Sequence, residues 1–201
     1  MTFATVYKIE NITEFLSILV QKRGMRKLLN NELGRKTIDQ YRLSEKAPFV
    51  VVLDNVRSQS NVGSVFRTAD AFLIEKILLC GITATPPNPD IRKTALGATE
   101  SVPWEHFEKT TDAISNLKKQ GFLIIGIEQV EQSYELQNFV PENNKKYALV
   151  FGHEINGVSQ EVIDMCDYSI EIPQFGTKHS FNIAVSAGIV LWELNKKRLP
   201  D

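Results

Sequence analysis

Cysteine is scarce: the 201-residue chain holds two, Cys80 and Cys166. That excludes a disulfide framework, and because each sits in or beside an apolar segment, both read as buried structural thiols. Histidine is nearly as rare. His106, His153 and His179 stand far apart, no cysteine lies at zinc-ligand spacing from them, and no metal is expected. No apolar run reaches the roughly 18 residues of a membrane span. The first ten residues hold no basic stretch leading into an apolar one, so a secretory signal is not expected either and the chain is assigned to the cytoplasm. Internal repeats and low-complexity tracts are absent. With 43% hydrophobic and 23% charged residues, the chain is neither disordered nor collagen-like. Common enzyme signatures are missing too: there is no Gly-x-Gly-x-x-Gly, no P-loop and no Gly-x-Ser-x-Gly elbow.

An excess of one charge is also lacking, since the net charge is −1. Neutrality here is an average. Residues 21–46 carry eight basic side chains (Lys22, Arg23, Arg26, Lys27, Arg35, Lys36, Arg42 and Lys46) against three acidic ones, a local charge of +5. Residues 1–20 sum to −1 and residues 47–201 to −5. Two readings stand for the basic stretch: a solvated helix face, or an arm that binds phosphates.

What is present is an alternation of strands and helices. Residues 11–33 have a rough apolar face at helical spacing, with Asn11 as cap and Gly34 beyond the end. Residues 35–47 are polar and read as a linker. Phe49-Val50-Val51-Val52-Leu53 is a near-continuous apolar run of the kind buried on both faces of a sheet. Further strands are expected at 76–80, 101–107, 122–127, 147–151 and 169–172. Helices are expected from Ser60 to Phe72, over 91–97 and 112–120, from Ser159 to Cys166, and over 180–197. This pattern predicts an α/β fold with a mostly parallel sheet covered by helices on both faces. Ligands bind such sheets beyond the carboxyl ends of the strands. A boundary near residue 47 divides a short basic helical extension, 1–47, from an α/β domain, 48–201.

Three polar clusters each follow a strand and lead into a helix: Asn55 to Arg67, Phe151 to Ser159, and Ile172 to Asn182. Each by itself has an ordinary reading. Asn61 caps, Gly152 and Gly157 allow a tight turn, Ser180 or Thr177 caps the last helix, and Arg67 makes a surface ion pair. An arginine within the apolar stripe of Val62, Val65, Phe66 and Ala69 calls for a partner, however.

Taken together and in order, the clusters resemble the three motifs of the SpoU-type (TrmH-like) RNA 2′-O-methyltransferases of the SPOUT superfamily. Asn61…Arg67 is similar to the first. Gly152-His153-Glu154-Ile155-Asn156-Gly157 is similar to the second, and Ile172-Pro173…Ser180-Phe181-Asn182-Ile183-Ala184-Val185-Ser186-Ala187 to the third. The resemblance runs from about residue 49 to 195. It implies S-adenosylmethionine as cofactor, a C-terminal trefoil knot, a homodimer packed through the last helix and the helix after the first motif, and methyl transfer to a ribose 2′-hydroxyl of tRNA or rRNA. It also implies catalytic roles for Arg67, Asn61, Glu154, Ser180 and Asn182, with Arg67 either a base or a binder of substrate phosphate. Cofactor contacts fall to Phe151, Gly152, Gly157, Ile172, Gln174 and Phe181. Gly126-Ile127-Glu128-Gln129 ends a strand and so borders the same pocket by sheet topology, which adds Ile127 and Glu128. RNA contacts fall to Lys22, Arg23, Arg26, Lys27, Arg57 and Lys178. Gln174 stands where many members have methionine, and Phe181 where leucine is usual. A noncatalytic RNA-binding protein on the same scaffold is the alternative.

Overall fold

The structure, a computed structural model, describes residues 26–196. In chain order it runs α1 (Ile38–Leu43), β1 (Ala47–Asp54), α2 (Gln59–Ala71), β2 (Ile74–Cys80), α3 (Pro89–Ala95), α4 (Ala98–Ser101) and β3 (Trp104–Phe107). It continues with α5 (Thr110–Lys119), β4 (Phe122–Ile127), β5 (Tyr134–Glu135), β6 (Lys146–Phe151), α6 (Gln160–Ile163), β7 (Tyr168–Glu171) and α7 (Ile183–Asn195).

The seven strands form one sheet in the order β3-β2-β1-β6-β4-β7-β5, and every pairing is parallel. The apolar run of β1 lies near its middle, with Val52 opposite Leu78 on one side and Val150 on the other. Successive side chains of β1 feed two cores, as the two-residue period of a strand requires. Phe49, Val51 and Leu53 pack with Val62, Val65 and Phe66 of α2, Ile91 of α3, and Ala187, Val190 and Leu191 of α7. Val50 and Val52 pack with Ala113, Ile114 and Leu117 of α5 and Val162 of α6. The α/β class with helices on both faces is therefore as expected.

The chain leaves β1 towards β2 on one side, and later inserts β6 between β1 and β4 before running out to β7. Loops that leave the carboxyl ends of β1 and β6 thus start side by side. Parallel sheets hold ligands beyond such carboxyl ends. Cys80 ends β2 fully buried, and burial pushes its thiol up to about 12; burial pushes Cys166 up to about 11. Both stay protonated at neutral pH, so neither is an activated nucleophile.

Several local expectations are corrected. The helix over 11–33 falls mostly outside the described residues. Within residues 26–36 there is only a single 3₁₀ turn at Asn30–Glu32. Leu28 and Leu29 there are more than half exposed, so no packed face rewards helical spacing. Instead Arg26 forks the Glu32 carboxylate at 2.8 and 2.9 Å. The linker at 35–47 contains α1, started by a capping box in which Thr37 and Gln40 bond each other's backbone. Tyr41 anchors α1 in the core and donates to the Ile74 carbonyl. The chain divides into units 1–36 and 37–201, eleven residues ahead of the boundary expected at residue 47. The cap of α2 is Ser58 rather than Ser60, and that of α7 is Asn182 rather than Ser180. The strand expected over 101–107 begins only at Trp104, because Ser101 turns inward to bond Asp70 and the Ala98 carbonyl.

Candidate active site

A cavity of about 470 Å³ opens at the carboxyl ends of β4, β6 and β7. Three loops line it. Ile127, Glu128 and Gln129 close β4; Phe151 to Gly157 follow β6; Ile172, Gln174 and His179 to Ile183 lead from β7 into α7.

The loop after β6 is built around a close backbone approach. His153 and Gly157 exchange backbone hydrogen bonds of 3.0 and 2.8 Å, folding the segment back on itself. A Cβ on Gly152 would lie 2.1 Å from backbone atoms of Gly157 and Val158. Gly157 has φ +66°, and a Cβ there would meet the Glu128 carboxylate at 2.0 Å. Both positions therefore require glycine. His153 Nδ1 accepts from the amides of Ile155 and Asn156, which makes this ring nitrogen the acceptor. Glu128 holds the other end of the loop, accepting from the Val158 amide at 2.9 Å.

Glu154 fastens this loop to the one after β1. Its two oxygens accept the Arg57 and Ser58 amides at 3.0 and 2.8 Å. Burial raises its pKa, but these bonds, its own amide and Asn61 outweigh that, and the carboxyl is held below the usual glutamate range. The chain of polar contacts continues: Asn61 Nδ2 donates to Glu154 at 3.4 Å, and Asn182 Nδ2 donates to Asn61 Oδ1 at 3.1 Å. Asn182 Oδ1 meanwhile caps α7 through the Ala184 amide at 2.9 Å. Three side chains separated by up to 121 residues thus form one line, each polar atom engaged. Asp54 sits just below it, buried, and accepts from Thr110, Asn55 and the Ser159 amide.

Among the expected residues, the structure brings Glu154, Ser180 and Asn182 to the cavity with Ile127, Glu128, Phe151, Gly152, Gly157, Ile172, Gln174 and Phe181. Asn61 reaches it only through its bonds to Glu154 and Asn182. Arg67 does not line it. It lies six residues beyond Asn61 on α2, under two helical turns and roughly 9 Å along the axis. It is also not inside the apolar stripe: it is exposed, and makes no hydrogen bond or ion pair among the described residues. Arg57 and Lys178 are exposed likewise, while Lys22 and Arg23 lie outside the described residues. Arg26 is engaged by Glu32. Gln129, Ile155, Asn156, His179 and Ser186, to which the sequence assigns no individual role, share the cavity. Ile155, Asn156, His179 and Ser186 stand within the motif segments themselves, and Gln129 follows the strand end that borders them. Among the described residues no group of three or more His, Cys, Asp or Glu is placed to hold a metal, and no helix is long and apolar enough to cross a membrane.

Residues 48–192 match the model of the SpoU rRNA Methylase family. The chain belongs to this family. A 23S rRNA (guanosine-2′-O-)-methyltransferase, RlmB, from Neisseria meningitidis is 32% identical over 76% of this chain and 60% of its own length. A putative TrmH family tRNA/rRNA methyltransferase, YacO, from Bacillus subtilis is 30% identical over 81% of this chain and 65% of its own. The chain thus spans under two thirds of the length of these SpoU relatives. Among solved structures, an AdoMet-bound rRNA methyltransferase from Sinorhizobium meliloti superposes with a TM-score of 0.72 at 27% identity, over 78% of this chain and 59% of that one. A TrmH/SpoU tRNA modifying enzyme from A. aeolicus gives 0.71 at 25% identity, over 80% and 82%. The SpoU match starts one residue inside β1, so it leaves α1 and residues 1–36 unmatched.

Proposed function

We propose that the chain transfers a methyl group from S-adenosylmethionine to a ribose 2′-hydroxyl of tRNA or rRNA in the cytoplasm. One observation carries this: the loops holding the second and third motifs meet around a single cavity, and Glu154, Asn61 and Asn182 tie that cavity to the first motif. The reading includes the family's trefoil knot, formed by those two loops.

The residues fit the cofactor. A volume of about 470 Å³ lies within the usual range of small-molecule sites. Ile127, Phe151, Ile172 and Phe181 offer apolar wall for an adenine. Glu128, held by the Val158 and Gln129 amides, presents a carboxylate edge for hydroxyl or ammonium groups. Gly152 and Gly157 keep backbone, not side chain, at the cavity wall. Bound there, S-adenosylmethionine supplies an electrophilic methyl group on a sulfonium.

The chain's own part is positioning. Asn182 is fixed at both ends by Asn61 and the Ala184 amide, so it and the neighbouring Ser180 form a rigid edge against which a ribose is oriented. Arg67 is exposed, and its guanidinium offers five N–H donors and no acceptor atom. Its role in this reading is therefore to bind a substrate phosphate and steer the hydroxyl, rather than to act as base. A homodimer packed through α7 and α2 belongs to the same proposal, supported by Trp192 and Val185, which are about half exposed on α7, and by the contact of Trp192 with Phe72. So does an RNA-binding role for residues 1–47.

Calorimetric titration with S-adenosylmethionine should show saturable binding, and tritium from its labelled methyl group should enter ribose of bulk RNA. Arg67→Ala should abolish transfer and leave cofactor affinity within about twofold, since the residue lies off the cavity wall. A folded protein that binds no S-adenosylmethionine would favour the noncatalytic scaffold. Full activity in Arg67→Ala would remove the arginine from the mechanism.

A further inference from the structure

Phe175 is 98% exposed, the most exposed of the large apolar side chains described. It sits in the turn between β7 and α7. That turn is tethered to the cavity on both sides. Gln174, its neighbour, lines the cavity, and the His179 carbonyl accepts from Gln129 at 3.2 Å and from Gln174 at 3.5 Å. Residues 175–178 project beyond this tether. Ile155, 78% exposed, lines the same cavity from the loop after β6. Two bare apolar side chains thus stand on the loops that border the cavity, Ile155 in its lining and Phe175 next to Gln174.

Their surroundings identify the occupant. Residues 174–182 contain one cation, Lys178, and no acid. Arg57, on the loop that Glu154 clamps beside Ile155, is a second exposed cation. Of the carboxylates at the cavity, Glu154 and Glu128 accept backbone amides, and Glu171 lies at the end of β7, ahead of this turn. An exposed aromatic face in a turn that also carries Lys178, a cation unpaired among the described residues, suits a stacked base beside its phosphates. A contact between two copies is the weaker fit: the exposed apolar residues of α7 form their own patch with Phe72, and Phe175 makes no ring contact with it.

Resting on the reading above, we propose that Phe175 is a substrate-positioning residue that stacks on a nucleobase of the RNA next to the ribose being methylated, with Ile155 as a second apolar contact. A ribose drawn into a pocket pulls its base out of the stack of its neighbours. The phenyl face replaces the lost stacking partner. Stacking of this kind accepts any base, so Phe175 contributes RNA affinity and not base choice.

The test is steady-state transfer from tritiated S-adenosylmethionine to total cellular RNA by the full chain. Phe175→Ala should raise the apparent KM for RNA about tenfold. It should leave kcat and the calorimetric Kd for S-adenosylmethionine unchanged. Phe175→Tyr and Phe175→Trp should restore the KM, and Phe175→Leu, apolar without a π-face, should not. An unchanged KM in Phe175→Ala with an active wild type overturns the stacking role while leaving the methyltransferase reading intact. So does loss of dimer on size-exclusion chromatography in that variant, which would make Phe175 a contact between copies. An inactive wild type that binds no S-adenosylmethionine overturns the reading itself, and this proposal with it.

Discussion

Glu154 carries more of the site than its place in a glycine-flanked motif announces. It accepts two backbone amides from the loop after β1 and is the hinge of the line to Asn61 and Asn182. Its folded-state pKa lies below its ordinary value of 4.5. The linkage sign follows: its contribution to stability is fully present above that ordinary value and is lost as pH falls through the lower, folded value. Glu154→Gln can accept only one of the two amides well and turns an NH₂ towards the other. Because the group is exposed, the cost at neutral pH should be about 1 kcal/mol or less. Thermal melts should show a lower Tm for the variant at pH 7, and the gap should close on acidification below the glutamate range. A gap independent of pH would mean the carboxylate charge is not what holds the loop. Cofactor affinity should fall with it, since the same loop forms the cavity wall.

At the scale of elements, the crossing of α2 and α3 sets where the first motif sits. Gly63 is buried in it, and Thr94 of α3 donates to the Ser60 carbonyl at 2.9 Å. A Cβ on Gly63 would lie 2.1 Å from Thr94 Oγ1 and 2.3 Å from the Ile91 carbonyl oxygen. Two effects compete in Gly63→Ala. Helix propensity favours alanine by up to about 1 kcal/mol. Overpacking costs roughly 1–3 kcal/mol, and here it meets backbone that cannot rotate away. Overpacking should win, and urea unfolding should show a net loss. A gain in stability would mean the helices part freely, and α3 would then not hold α2 in place.

Over the whole molecule, the division at Lys36 makes a truncation informative. Residues 37–201 should keep the Tm of the full chain, because α1 with its buried Tyr41 remains. They should bind RNA more weakly, with a shallower dependence of log Kd on log salt, because the cations of residues 21–36 are gone. Cutting instead at residue 46 removes Tyr41 as well and should cost about 3 kcal/mol. Unchanged RNA affinity for residues 37–201 would return the basic stretch to a solvated surface.

The sequence by itself determined the α/β class and the strands β1, β2, β4, β6 and β7 to within a residue or two. A parallel strand buried on both faces has to be a run of apolar, often β-branched side chains, and such runs are legible locally. It also determined the order of the three motifs, because their glycines, asparagines and carboxylate are spaced by the loops that hold them. Only the tertiary structure decided the strand order, the two-residue strand β5, and the caps of α2 and α7. Ser58 and Ser60 are chemically equivalent caps until Glu154 takes the Ser58 amide. Asn182 rather than Ser180 starts α7 because its other end is bonded to Asn61. Arg67 is the clearest case. Its neighbours in sequence form an apolar stripe, yet one helical step turns it out to water and away from the cavity. Such placements depend on partners up to 121 residues distant, which local spacing does not encode.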